Sequence, residues 1–228
     1  MCIRDRPSRG EESTSNNMIR QWMATVALDR IAELRGDERG RAAVERNLDY
    51  NLEHFYSRED GLGLIEFDGK VKLGAVALAG LAIVEHHRRS EYEEQETALR
   101  LTIDSLWRES GSFRTYYKPE DRRGQQNFYP GEALLFWATL FRESGDPDLL
   151  RRIMASFAFY RSWHLANRNP AFVPWHTQAY YLVWEETRDP ELRDWIFEMN
   201  DWLLGVQELE FVYEDTEGRF YDASRPFG

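Results

Sequence analysis

In the run Asn127-Phe-Tyr-Pro-Gly-Glu-Ala-Leu-Leu-Phe-Trp-Ala-Thr-Leu-Phe141, an extended aromatic segment passes straight into a helix with Pro130 at its start. From Ala133 to Phe141 that helix is apolar on nearly every side, so other helices must enclose it. Its one early charge, Glu132, falls in the first turn, where a carboxylate suits the positive end of the helix dipole.

The pattern recurs. Aligning Ala77-Leu78, Ala133-Leu134 and Ala179-Tyr180 sets Val76, Glu132 and Gln178 at equivalent positions, at intervals of 56 and 46 residues. Helical periodicity predicts a first helix over Asn16–Arg35, closed by Gly36, and a second from about Asp37 to Tyr56. An apolar third runs from Leu73 to about Arg89, and an amphipathic fourth covers Glu91–Glu109. The fifth stops at Ser144-Gly-Asp-Pro, and the sixth spans Pro147 to about Ala166. A seventh lies near Trp175–Thr187 and an eighth over Glu191 to about Gln207. Asp68-Gly69 between β-prone runs signals a hairpin, and Leu209–Asp222 reads as two short strands around Glu217-Gly218.

Apolar helices (third, fifth, seventh) therefore alternate with charged amphipathic ones. Connections into the apolar helices are long, aromatic and strand-forming, whereas those leaving them are short turns. Helical pairs at such periods bury a core only by stacking or closing. An open tetratricopeptide-like solenoid has shorter repeats and short loops at both ends. Long loops gathered at one end instead predict an all-α fold, an α/α toroid with inner and outer helices and short β-hairpins in the long loops.

Composition narrows the classes. Forty acidic against 29 basic residues leave a net charge of −11, which offers nothing to nucleic acid or an anionic membrane. Hydrophobic residues make up 42% of the chain, ample for a core, while a single cysteine, Cys2, excludes a disulfide framework. Residues 1–12 lack the apolar stretch of a secretory signal. They resemble translated adapter sequence from environmental DNA, so they stand outside the fold reading and leave localisation open. HExxH, P-loop, GxGxxG and GxSxG patterns are missing, as are the aspartate-rich cluster of terpenoid cyclases and the Cys/His set of lanthionine cyclases. No cofactor is expected.

Three phrases, Val71-Lys-Leu-Gly-Ala-Val-Ala-Leu-Ala79, Phe128-Tyr-Pro-Gly-Glu-Ala-Leu-Leu135 and Glu198-Met-Asn-Asp-Trp-Leu-Leu204, resemble the six-hairpin (α/α)6-toroid superfamily of carbohydrate-active proteins. That group includes hydrolases of unsaturated uronides and the helical domain of glucuronyl C5-epimerases. The phrases are packing signatures, good for fold and weak for catalysis. Against six hairpins in the superfamily, four are counted here, an expectation of a C-terminally truncated toroid spanning residues 13–228. Such an opening would bare the apolar flanks of the first and seventh helices and offer a route to a homodimer.

The resemblance implies a carbohydrate cleft where the long loops meet the N-terminal ends of the inner helices. Glu132 is a candidate general acid or base, its pKa raised by apolar surroundings; the plainer reading is a carboxylate capping the helix. Trp175 and His176, with Gln178, occupy the same junction on the seventh helix and could stack a sugar and move a proton. Packing under the loop is the alternative. Asp68 is a hairpin-turn residue or, more sharply, the carboxylate partner that glycosidic cleavage needs. Lys72, Arg114 and Arg122 could hold a uronate carboxylate. Tyr116, Tyr117, Phe128 and Tyr129 form a sugar platform or simply pack a strand on helix ends. His86-His87 reads as solvated surface at the opposite end. The leading expectation is acid–base action on an acidic glycan or uronate-containing sugar, of hydrolase or epimerase type. A non-catalytic sugar- or protein-binding toroid is the alternative.

Overall fold

The computed structural model describes residues 16–207 and Phe220, so the expected tail over residues 1–12 and the strands about Glu217-Gly218 lie outside the described residues. Among these residues are the helices α1 (Met18–Arg35), α2 (Glu38–Phe55), α3 (Leu73–Glu85), α4 (Glu93–Leu106), α5 (Tyr129–Ser144), α6 (Pro147–Ala166), α7 (Val173–Thr187) and α8 (Pro190–Gly205). They pair in sequence order, α1 with α2 through α7 with α8. The odd-numbered helices also pack side by side, α1 on α3, α3 on α5 and α5 on α7. That is the inner and outer layering of an α/α toroid, here four hairpins long.

Burial follows composition. Every residue of α3 from Leu73 to Val84 and of α5 from Tyr129 to Phe141 is buried, whereas the outer helices bury one stripe each. At the C-terminal ends of the inner helices the turns are compressed. Gly145 takes the left-handed conformation, and the Asp146 side chain then caps α6 with Pro147 in its first turn. Asp189 and Pro190 repeat that arrangement after α7, with Arg188 in the left-handed position. Among the described residues, no helix is long and apolar enough to cross a membrane.

The long loops at the other end share one sheet. Strands β1 (Tyr56–Glu59), β2 (Leu62–Phe67), β3 (Lys70–Lys72) and β4 (Tyr116–Lys118) are antiparallel in the order β1-β2-β3-β4. Pairing of Lys72 with Tyr116, beside an irregularity at Val71/Lys72, ties the α2–α3 loop to the α4–α5 loop over the helix starts.

Three expected boundaries move. The third helix ends at Glu85 rather than Arg89, because His86 adopts extended backbone and its buried ring accepts the Arg88 N–H through Nδ1. A local side-chain bond of this kind competes with helix continuation. His86 is therefore core rather than solvated surface. The fourth helix ends at Leu106, where Trp107 turns extended and bridges to Phe113. The seventh begins at Val173, two residues early, with Pro174 in its first turn.

Gly111 seats the α4–α5 loop on α6. It has φ +86°, and a Cβ there would lie 2.2 Å from the Ala155 carbonyl oxygen. Gly111→Ala is expected to cost about 2–3 kcal/mol through backbone strain and the clash, measured as a lower urea midpoint. An unchanged midpoint would contradict this seating.

Candidate functional site

Glu132 is the fourth residue of α5, and its side chain turns inward over α3 rather than out to solvent. A Cβ added to Gly74 would lie 1.8 Å from Glu132 Oε2, with Ile19 Cδ1 and Tyr129 Cδ1 each at 2.9 Å. Only a residue without a side chain leaves that space, so the carboxyl sits in a socket floored by the bare α3 backbone. The residue is 2% exposed, and Oε2 has no hydrogen-bond partner among the described residues. The capping role is thus not what the side chain does. Burial pushes the carboxyl pKa up to about 8, and the Lys72 ammonium pulls against that. Near neutral pH the group is mostly the uncharged acid.

Lys72 ends β3 and precedes α3. Its pKa is held below the usual lysine range by partial burial and then by Lys70 and Arg122, against the pull of Asp68 and Glu132. It is the strand partner of Tyr116, and its charge acts on Glu132. The Arg122 guanidinium stands 4.8 Å from the Tyr116 ring centre, and Tyr116 meets Tyr129 edge-on at 5.8 Å. Burial and the adjacent Tyr116 hydroxyl push the Tyr129 phenol above its ordinary range. Tyr117 and Phe128 are half-buried against the core nearby. Lys72, Tyr116, Tyr129 and Glu132 thus come together at the N-terminal ends of α3 and α5.

Asp68 does not join them. It occupies a left-handed turn position (φ 53°) beside Gly69, its side chain is 72% exposed, and it pairs with Lys70. Arg114 is engaged through Nη1 with Glu120 at 2.7 Å.

The seventh helix supplies a second buried group. His176 is 0% exposed; its Nδ1–H donates to the Phe172 carbonyl at 2.9 Å, and its ring stacks on Phe172 at 3.5 Å. That bond settles the tautomer, so Nε2 carries the lone pair, and it has no partner among the described residues. Burial drives the imidazole pKa down to about 3, so it is neutral across the physiological range. His176 and the half-buried Trp175 both pack against Gly131, one residue before Glu132.

Counted from the start of each helix, the α7 residue equivalent to Glu132 is His176, not Gln178. The early start at Val173 accounts for the shift. Gln178 instead lines a cavity of about 290 Å³ with Arg30, Glu85 and Thr139. Sequence reading passed over Gly74 and Phe172. The phrase Lys72-Leu-Gly-Ala carried a signal for the first, a glycine inside an otherwise apolar helix start. Among the described residues, no group of three His, Cys, Asp or Glu side chains could hold a metal ion.

No protein-family model matches the chain, and no curated protein sequence matches it significantly. Among solved structures it is similar to D-mannose isomerase, with a TM-score of 0.67 and 13% identity over 94% of this chain and 64% of that one. Identity that low speaks for the fold alone. The chain spans about 64% of the length of that isomerase.

Proposed function

We propose that this chain acts on carbohydrate, transferring a proton to or from a sugar at the loop-lined mouth with Glu132 as the acid–base group. The observation that carries the reading is the Glu132 carboxyl itself, buried, its Oε2 without a hydrogen-bond partner among the described residues, and within the field of Lys72. A pKa near the working pH is what proton transfer requires. Likeness in fold to a sugar isomerase supports the substrate class.

Glycosidic cleavage needs two carboxylates flanking one bond, and Asp68 stands apart on its exposed turn. Moving a proton between neighbouring sugar carbons needs one acid–base group and a cation to steady the negative oxygen that develops. Glu132 and Lys72 fit that requirement better, so isomerisation or epimerisation is favoured over hydrolysis. Lys72 and Arg122 also suit a uronate carboxylate, with the partly buried Tyr117, Phe128 and Trp175 as the rings that keep some surface for a sugar. His176, neutral and fully buried, takes no proton in this scheme and instead packs against Gly131 beneath the first turn of α5.

The test is proton NMR in D2O with D-mannose and D-glucuronate. Wild type is expected to incorporate deuterium beside the carbonyl carbon, and Glu132→Gln to lose this at least about 100-fold. Exchange that survives in Glu132→Gln would remove Glu132 from the mechanism. Among the described residues Lys72 is the one charge acting on Glu132 and no second carboxylate does, which also supports a second reading, a sugar-binding module. Saturable binding without exchange in wild type would favour that.

A further inference from the structure

The opposite end of the molecule carries a separate feature. Between the C-terminal halves of α1 and α3 lies an open cavity of about 580 Å³ lined by Asp29, Arg30, Glu33, Leu34, Glu85 and His87. Five of these residues are ionisable, and all but one have partners. Arg30 and Glu85 form a two-bond pair at 2.7 and 2.6 Å. Glu33 meets Arg41 at 3.0 Å, and His87 Nε2 lies 3.2 Å from Glu45.

Asp29 is the exception. It is 9% exposed, makes no hydrogen bond or ion pair among the described residues, and turns what access it has into the cavity. Its oxygens keep solvent contact through the cavity, and His87 and Arg41 act on it only at longer range, so a largely buried carboxylate here gains from a cation that reaches it directly. Two further observations give the sign of what is missing. Both α1 and α3 end here, and helix C-termini favour positive charge. Leu34, a wall of the cavity, is among the most exposed apolar side chains described.

We propose that this cavity takes a primary ammonium group carried on an apolar stem, with Asp29 accepting from the ammonium and Leu34 covering the stem. A metal ion is the wrong cation, since no three ligating side chains converge here. A guanidinium prefers two-point contact with a carboxylate, and Arg30 already makes that contact with Glu85. A compact ammonium suits a single carboxylate. Such a group can come from a free aliphatic amine or from a lysine side chain.

Calorimetric titration of the whole 228-residue chain tests this with cadaverine, with Nα-acetyl-lysine methylamide, and with 1-pentanol as the neutral stem. Saturable binding of an amine, at least about 10-fold weaker in Asp29→Asn and absent for 1-pentanol, is the expected result. Tighter binding of cadaverine points to a free amine, and tighter binding of the lysine derivative to a protein side chain; both support the site. Glu33→Gln removes a charge of the same wall that already has a partner, and is expected to change affinity less than about threefold. Equal affinity in wild type and Asp29→Asn would overturn the proposal. So would the absence of amine binding at millimolar concentration, or an equal loss in Glu33→Gln, which would mark general attraction to an acidic surface. Circular dichroism of Asp29→Asn is expected to match wild type, because the variant removes an unpaired buried charge and leaves the helix packing in place.

Discussion

Glu132→Gln is expected to make the protein more stable above about pH 6.5 while abolishing its proton transfer. The physical reason is linkage. The folded-state pKa of Glu132 is about 8 against an ordinary 4.5. Between those values the folded chain holds a proton that the unfolded chain has released, so stability falls as pH rises through the window. The loss is on the order of 3–5 kcal/mol by pH 8, at 1.36 kcal/mol for each unit. His176 and His164 have the opposite sign. Their pKa values of about 3 and about 4 lie below the ordinary 6.5, so their contribution is present above pH 6.5 and is lost as pH falls toward 4 and then 3. Where the windows overlap, two histidines outweigh one carboxyl, and stability should peak near pH 6.5. Urea midpoints at about pH 5, 6.5 and 8 would show the peak in wild type and a flat alkaline side in Glu132→Gln. An equal decline between pH 6.5 and 8 in both proteins would mean that Glu132 is already ionised in the fold. Greater stability at the loss of activity is the usual signature of a functional buried ionisable group.

The second large effect is expected from Gly74→Ala. The new methyl would occupy the position of Oε2, 1.8 Å away, with Ile19 and Tyr129 closing the sides. The carboxyl has to leave its socket, and the overpacking should cost about 1–3 kcal/mol. The functional loss should be larger. Displacing an acid–base group by about 1 Å can lower turnover roughly 100-fold, so deuterium exchange should fall by that order while the helical circular dichroism persists. The pH profile separates a positional effect from simple unfolding. A carboxyl expelled toward solvent recovers an ordinary pKa, and the alkaline decline in stability should shrink as it does in Glu132→Gln. A variant that keeps both wild-type exchange and the alkaline decline would show that the socket does not hold the carboxyl.

Much of this architecture was legible before any coordinates. The apolar runs Leu73–Val84 and Ala133–Phe141 and the charged helices between them are properties of local sequence, and enclosure of the former by the latter follows from burial. Asp68-Gly69 announced its turn and Glu132 its place in a first turn for similarly local reasons. Boundaries shifted where a long-range or side-chain contact intervened, as at His86 and Trp107.

Partnership was not legible. Whether Glu132 would cap its own helix or lie unpartnered over Gly74 depended on how closely α3 approaches α5, which neither segment encodes alone. The same holds for His176, whose tautomer follows from the Phe172 carbonyl, and for Asp29, whose neighbours found partners while it did not. Sequence by itself determined which segments are helices, which of them are inner, and where their loops collect, because periodicity and hydrophobicity act within a segment. Only tertiary structure decided which polar groups are left without a hydrogen bond, because that depends on atoms brought together from distant parts of the chain.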